Sequence, residues 1–187
     1  LVATKDRKDI SPIIYMNSIK ELNYIKNNGR YIEVGATTPL LEFETYIKKY
    51  YSDFNKILKR YGSVQIRNVA TVAGNIATAS PIGDTLPLLL ALDSKVMLQG
   101  VKRSKVLSIN DFFTGYRRTK LKPGQFIHSI RIPIFNKNVF KAYKISKRFD
   151  DDISSVCAAF NLIIKNKKIK SIKIAYGGMA SIPKRAI

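Results

Sequence analysis

"RNVATVAGNIATASPIGD", from Arg67 to Asp84, carries charge only at its two ends. The 187-residue chain around it has 33 Lys plus Arg against 13 Asp plus Glu, a formal net charge of +20. Small residues dominate the stretch: Ala70, Ala73, Gly74, Ala77 and Ala79 remove bulk on both sides of Asn75. Thr71, Asn75, Thr78 and Ser80 set hydroxyl and amide groups between them. The pattern fits neither a helix nor a strand template for long. Composition leaves two readings open. Free backbone N–H groups and small polar side chains can cradle a phosphate or a sugar chain, with the Asp84 carboxylate accepting from a hydroxyl. Alternatively the stretch is a close-packed crossover and Asp84 only caps the next helix.

Working outward, "DTLPLLLALDS" predicts a buried helix capped by Asp84, with Pro87 tolerated in its first turn. From Lys95 the pattern alternates, and "KVMLQ", "KVLSI", "FIHSIRI" and "VFKAYKIS" read as strands. A short helix is expected at Asn110–Phe113 and a turn at Lys122–Gln125. "SVCAAFNLII" and "IKSIKIAYGG" follow as two strands joined by a turn near Lys165–Lys168. Upstream, Pro12–Met16 reads as a strand. Ser18 and Glu21 stand in capping-box spacing before Ile19, Leu22 and Ile25 on one helical face. Arg30–Thr37 alternates as a strand, Thr38-Pro39 opens a helix with threonine as cap, and a second helix lies near Asp53–Tyr61. The class is α+β, with a boundary between 1–143 and 144–187.

Bulk properties narrow the function classes. Hydrophobic residues make up 45% of the chain, which is globular rather than disordered. No apolar run reaches the roughly 18–20 residues of a membrane helix, so no membrane partner is expected. A single cysteine, Cys157, rules out an internal disulfide framework and fits a reducing, cytoplasmic setting. Lysines are spread over nearly every segment with no aromatic platform alternating, so the basic excess reads as a solvated surface and not a nucleic-acid site. His128 and Ser129 are strand neighbours pointing to opposite faces, which forms no catalytic pair. Cys157 reads as core packing. Asp150, Asp151 and Asp152 read as a charged turn, since three adjacent carboxylates on an extended chain do not converge on one ion. No catalytic side chain and no metal site is therefore expected. Leu1 opens the sequence in mid-pattern, and the chain reads as cut from a longer one.

"GSVQIRNVATVAGNIATASPIGDTLPLLLALDSKV", Gly62–Val96, resembles the FAD-binding domain of the xanthine dehydrogenase family of molybdenum hydroxylases. "FFTGYRRTKLKPGQFIHSIRIP" is similar to that family's tyrosine turn and following strand, and "YKISKRFDDDISSVCAAF" to its flavin-edge loop. The resemblance covers essentially the whole chain. It implies part of a PCMH-type FAD-binding domain at 1–143, its N-terminal portion missing, then the truncated start of a CO-dehydrogenase-flavoprotein-like C-terminal α+β subdomain at 144–187. The implied cofactor is FAD. Thr71 and Asn75 would meet its pyrophosphate and ribityl region, with Gly74 allowing close backbone approach. Asp84 would hold hydroxyls, Thr78 would lie near the ring system and Tyr61 against the isoalloxazine. Ile127 would pack on the cofactor and Lys144 would reach the flavin's polar edge.

The same resemblance implies 2Fe-2S clusters and molybdopterin elsewhere in a complex. The expected partners are a molybdopterin-binding large subunit and an iron–sulfur domain, in the same parent chain or a separate subunit. Electrons would pass from the clusters through FAD to NAD+, with purine oxidised on the partner. Sister hydroxylases of carbon monoxide, nicotinate or aldehydes remain as an alternative, as does a flavin-free basic binding module. Three departures stand out. Ala73-Gly74 replaces the family's glycine pair, the Gly-rich loop expected before Leu1 is absent from the sequence shown, and the C-terminal subdomain stops early.

Overall fold

Ile32 and Val34 are fully buried in β2 (Tyr31–Gly35), while Glu33 between them turns to the other face, the period-two signature of a half-buried strand. In the computed structural model, which describes residues 9, 11 and 13–186, β2 belongs to a five-stranded antiparallel sheet. The other strands are β1 (Ile25–Asn27), β3 (Lys95–Gln99), β4 (Ser104–Ser108) and β7 (Phe126–Pro133), in the order β1-β2-β7-β3-β4. Val34 pairs with Ile130, which also pairs with Val96. That register puts one apolar face towards the helices. On the opposite face Glu33 accepts from the Ser129 hydroxyl at 2.8 Å and binds the Arg131 guanidinium at 2.8 Å.

Five short helices follow β2 and precede or flank the rest: α1 (Leu40–Ile47), α2 (Ser52–Lys59), α3 (Val64–Val69), α4 (Val72–Thr78) and α5 (Thr85–Ala91). A small hairpin, β5 (Phe113–Gly115) with β6 (Arg118–Thr119), comes before β7. The second sheet is antiparallel: β8 (Asn138–Ile145), β9 (Val156–Lys165), β10 (Lys168–Gly177) and β11 (Lys184–Arg185), in the order β11-β10-β9-β8. The helices lie between the two sheets. α4 packs on β7, α2 on β8, and α5 on α4, β9, β10 and β11. Every residue of α5 is buried, as a helix inserted between layers requires. Asp93, just beyond it, binds both Lys173 and Arg185 and fastens the helix end to the second sheet.

Several local expectations are corrected. Pro12 lies outside the described residues, and Ile13–Met16 forms no strand. The helix expected from Ser18 is two 3-10 turns, Met16–Ser18 and Lys20–Leu22, followed by β1. Pairing of Ile25 with Val34 overrides the local helical pattern. Gly35 permits that approach, since a Cβ there would stand 2.1 Å from the Leu22 carbonyl oxygen. Thr38 caps nothing: its hydroxyl donates to the Tyr24 carbonyl at 2.9 Å and accepts from the Tyr24 N–H. The Ala70 carbonyl instead accepts the first N–H of α1, from Leu40 at 2.8 Å. The Asn110–Phe113 helix is a 3-10 turn at Ile109–Asp111, and Phe113 already belongs to β5.

Arg67–Asp84 was expected to fit no regular template, yet it contains α4 and the end of α3. Each starts on a side-chain cap: Ser63 Oγ accepts from Ile66 N–H and Thr71 Oγ1 from Gly74 N–H. Ala70 breaks the two helices apart in extended conformation, and Ala79, at φ 46°, ends α4. The chain leaves the first sheet after Pro133, and all of β8 pairs with β9, from Asn138 opposite Ile163 to Ile145 opposite Val156. The boundary expected at 143/144 lies inside that strand.

Candidate functional site

α4 is the centre of the site because its two faces look into two different clefts. Thr71, Gly74 and Ala77, spaced three apart, line a cleft of about 300 Å³ closed on the other side by Ile127 of β7. Asn75 and Thr78, also three apart, line a cleft of about 370 Å³ with Tyr61, Asp84 and Lys144. All eight residues expected from the sequence thus line one cleft or the other: Tyr61, Asn75, Thr78, Asp84 and Lys144 line the larger, the first cleft, and Thr71, Gly74 and Ile127 the smaller, the second cleft. Both volumes suit a ring-sized ligand.

The larger of these clefts is built on a buried polar network. Lys144, on the inner face of β8, is 6% exposed, and its Nζ lies 2.6 Å from Asp84 Oδ2. The same Nζ donates to the Arg60 carbonyl at 3.1 Å. Asp84 accepts a second hydrogen bond from the Ser154 hydroxyl, and its backbone carbonyl accepts from Cys157 Sγ at 3.5 Å. Asp84 stands at the N-terminal boundary of α5 but its carboxylate makes no cap bond, which corrects the capping reading. Its charge is spent on Lys144. Burial pushes the Cys157 thiol well above the usual range, and the Asp84 charge adds to this, so Cys157 is no nucleophile.

Asn75 is likewise engaged at both ends. Its Nδ2 donates to the Tyr61 hydroxyl at 3.1 Å, and its Oδ1 accepts from the Thr85 hydroxyl at 2.5 Å. Burial and then the Asp84 charge raise the Tyr61 phenol above its ordinary value, so the ring presents a neutral hydroxyl. Thr78 donates back to the Asn75 carbonyl at 2.8 Å. In the second cleft Thr71 Oγ1 accepts from Gly74 N–H at 2.9 Å, so that donor of the expected cradle is already satisfied.

Sequence reasoning missed four participants, Ser154, Arg60, Thr37 and Arg117, while Asp151 lies in the loop it had placed at the flavin edge. Ser154 sits 70 residues from Asp84 and nothing local marks it. Arg60 donates to the carbonyls of Lys144 and Phe149 and to Ser146 Oγ, holding the loop that carries Asp151 to Ser154. Thr37, 6% exposed, lines the second cleft, and its hydroxyl has no hydrogen-bond partner among the described residues. Arg117 and Asp151 both line the first cleft in left-handed backbone, at φ 52° and 48°. Such strain at a non-glycine residue concentrates at sites. Of the described residues, none form a group of three or more His, Cys, Asp or Glu placed to hold a metal ion, and no helix is long and apolar enough to cross a membrane.

Comparison with known proteins gives a consistent result. Residues 1–135 match the FAD binding domain in molybdopterin dehydrogenase, and residues 141–187 match the CO dehydrogenase flavoprotein C-terminal domain. Xanthine dehydrogenase of Emericella nidulans is 34% identical over 183 residues, covering 90% of this chain and 13% of that protein. The glyceraldehyde dehydrogenase medium chain of Sulfolobus acidocaldarius is 31% identical over 180 residues, 94% of this chain and 63% of that one. A chain of carbon monoxide dehydrogenase from Hydrogenophaga pseudoflava superposes with a TM-score of 0.84 at 23% identity, covering 89% of this chain and 59% of that chain. Quinoline 2-oxidoreductase from Pseudomonas putida 86 gives 0.83 at 23%, covering 90% and 59%. The structural likeness shows a shared fold.

Proposed function

This chain belongs to the family of FAD-binding domains in molybdopterin dehydrogenases, the flavoprotein part of the molybdenum hydroxylases, and we propose that in its complex electrons arrive from iron–sulfur clusters and leave to NAD+. The residues present fit FAD. A dinucleotide has two ring systems, and α4 separates two ring-sized clefts. The second holds a buried hydroxyl, Thr37 Oγ1, with no partner among the described residues, in a site lined mainly by small and apolar side chains with Asn17 and Gln125 beside them. That is the observation that supports a ligand here, and with it the cofactor assignment, because a buried hydroxyl without a partner costs free energy that a ligand can recover.

When bound, the flavin supplies the exchange between one-electron and two-electron partners. The chain's own residues bind and orient. Tyr61, Gly62 and Ile153 offer walls for a flat ring, and the Asp84–Lys144 pair sets a fixed polar edge beside it. Thr71, Gly74 and Ile127 line the second cleft, where absence of bulk lets backbone approach the ligand. Arg117, Asp151 and Asp152 place charges of both signs on the first cleft, where an acceptor nucleotide would approach. The partners we propose are a molybdopterin-binding large subunit and an iron–sulfur domain, with a cytoplasmic setting supported by the single, buried, free cysteine.

A second reading, the medium chain of a sister hydroxylase, rests on the 31% identity to the glyceraldehyde dehydrogenase medium chain over 180 residues. Fluorescence titration with FAD tests the cofactor assignment. Asp84→Asn is expected to weaken FAD roughly tenfold or more, the worth of one charge-assisted hydrogen bond. Asp150→Asn, outside both clefts, is expected to leave affinity unchanged; equal losses would contradict the assignment. In the assembled complex, NADH formation under substrate supports NAD+ as acceptor, and oxygen consumption without NADH overturns it.

A further inference from the structure

The Tyr61 ring is held at both ends, and one grip comes from a buried arginine outside the clefts. Arg67, in α3, is 8% exposed and turns its guanidinium back towards the start of its own helix. Its Nη1 donates to the Gly62 carbonyl at 2.8 Å and to the Tyr61 carbonyl at 3.3 Å. Its Nε lies 3.1 Å from Oε2 of Glu44 in α1, out of line for a hydrogen bond, so that pair acts through charge. Glu44 is itself buried, and its backbone carbonyl accepts from Asn55 Nδ2 of α2 at 2.9 Å. One guanidinium therefore ties α1 and α3 to the turn that carries Tyr61.

We propose that Arg67 is the positioning residue that sets the Tyr61 ring in the first cleft; its effect on bound flavin rests on the FAD assignment above. Gly62 stands at φ +52°, so the backbone reverses directly after Tyr61 and turns both carbonyls to the same donor. Without that donor the two half-buried carbonyls would turn to water instead, and the ring would turn with them. At the far end the Asn75 amide fixes the hydroxyl. Between two fixed ends the ring keeps one orientation against whatever flat group occupies the cleft. A planar fork can serve two carbonyls and a carboxylate together, which a lysine ammonium on a flexible stem cannot.

The test uses Arg67→Lys, which keeps a cation opposite Glu44 and loses the fork. On the flavin-free chain, tetranitromethane nitration is followed by peptide mass mapping, with buried Tyr51 as internal reference. Tyr61 should nitrate several-fold faster in the variant with Tyr51 unchanged. Equal rises at both tyrosines, or no change at Tyr61, would overturn a positioning role. Should Arg67→Lys fail to fold, the double variant Glu44→Gln with Arg67→Met, which removes both buried charges, is expected to give the same selective rise. With FAD added, emission from bound flavin should be quenched in the wild type and brighter in Arg67→Lys, with Tyr61→Leu marking full loss of quenching. Equal quenching in wild type and Arg67→Lys contradicts the proposal. FAD failing to bind the wild type contradicts the cofactor assignment alone, and the nitration result then decides the role of Arg67.

Discussion

Asp84 and Lys144 stand 60 residues apart in sequence and 2.6 Å apart in space, both buried. Removing one partner leaves a buried charge with no counter-ion, so Lys144→Met should destabilise the chain by about 3–5 kcal/mol. Lys144→Met combined with Asp84→Leu should recover most of that loss, because an apolar pair of similar volume avoids the desolvation of two ions. Urea melts of the single and double variants decide this, and a double variant no better than the single would mean that the pair is not coupled. Cys157, behind Asp84, should resist iodoacetamide at pH 8 in the folded chain and react at once in denaturant, since burial keeps its thiol protonated. Rapid labelling of the native chain would contradict that. None of these partnerships could be read locally. Sequence patterning leaves Asp84 as either a hydroxyl acceptor or a helix cap, and only the fold reveals that Lys144 and Ser154 claim its carboxylate.

Strands were legible where alternation was long and undisturbed: β2, β3, β7, β9 and β10 stand where their periodicity places them. α3 and α4 were not legible as helices, because six and seven residues give the apolar repeat no room to declare itself. Only Ser63 and Thr71, their caps, carried a signal. The spacing of Thr71, Gly74 and Ala77 against Asn75 and Thr78 becomes meaningful once α4 is known to be a helix with a cleft on each face. Close approach governs the start of the first sheet. Gly35→Ala would drive a Cβ into the Leu22 carbonyl and should cost about 1–3 kcal/mol or more. A wild-type denaturation midpoint in that variant would mean that the approach relaxes freely. Tyr51 fastens the start of α2 to the connection between the sheets: its hydroxyl donates to the Pro133 carbonyl at 2.7 Å and accepts from Phe135 N–H at 3.1 Å.

Burial pushes the Tyr51 phenol up to about 12, with the Phe135 N–H pulling the other way. The unfolded chain releases this proton near pH 10 and the folded chain near 12. Its contribution to stability is therefore full below pH 10 and is lost as pH rises towards 12. Tyr51→Phe should lower stability at pH 7 by about 1–3 kcal/mol and make the alkaline decline shallower. An unchanged alkaline slope would contradict the assignment.

Taken whole, the molecule places its helices between two sheets so that α4 touches the first sheet and α5 reaches the second. The first cleft exists only because residues from both parts meet there: Tyr61, Asn75 and Asp84 from the helical layer, Lys144 from β8 of the second sheet and Ser154 from the loop between β8 and β9. The basic excess, 33 against 13 charged residues, takes little part in the clefts, where cations are matched by Asp84, Asp151 and Asp152. The central claim is that one ligand, FAD, occupies both clefts across α4. Amide hydrogen exchange of the chain with and without FAD tests this directly. The account predicts slowed exchange at Ala36–Thr37 and Thr71–Gly74 on one side of α4, together with Gly83–Asp84 and Lys144–Ser154 on the other. Protection confined to one side, or none at all, would contradict it.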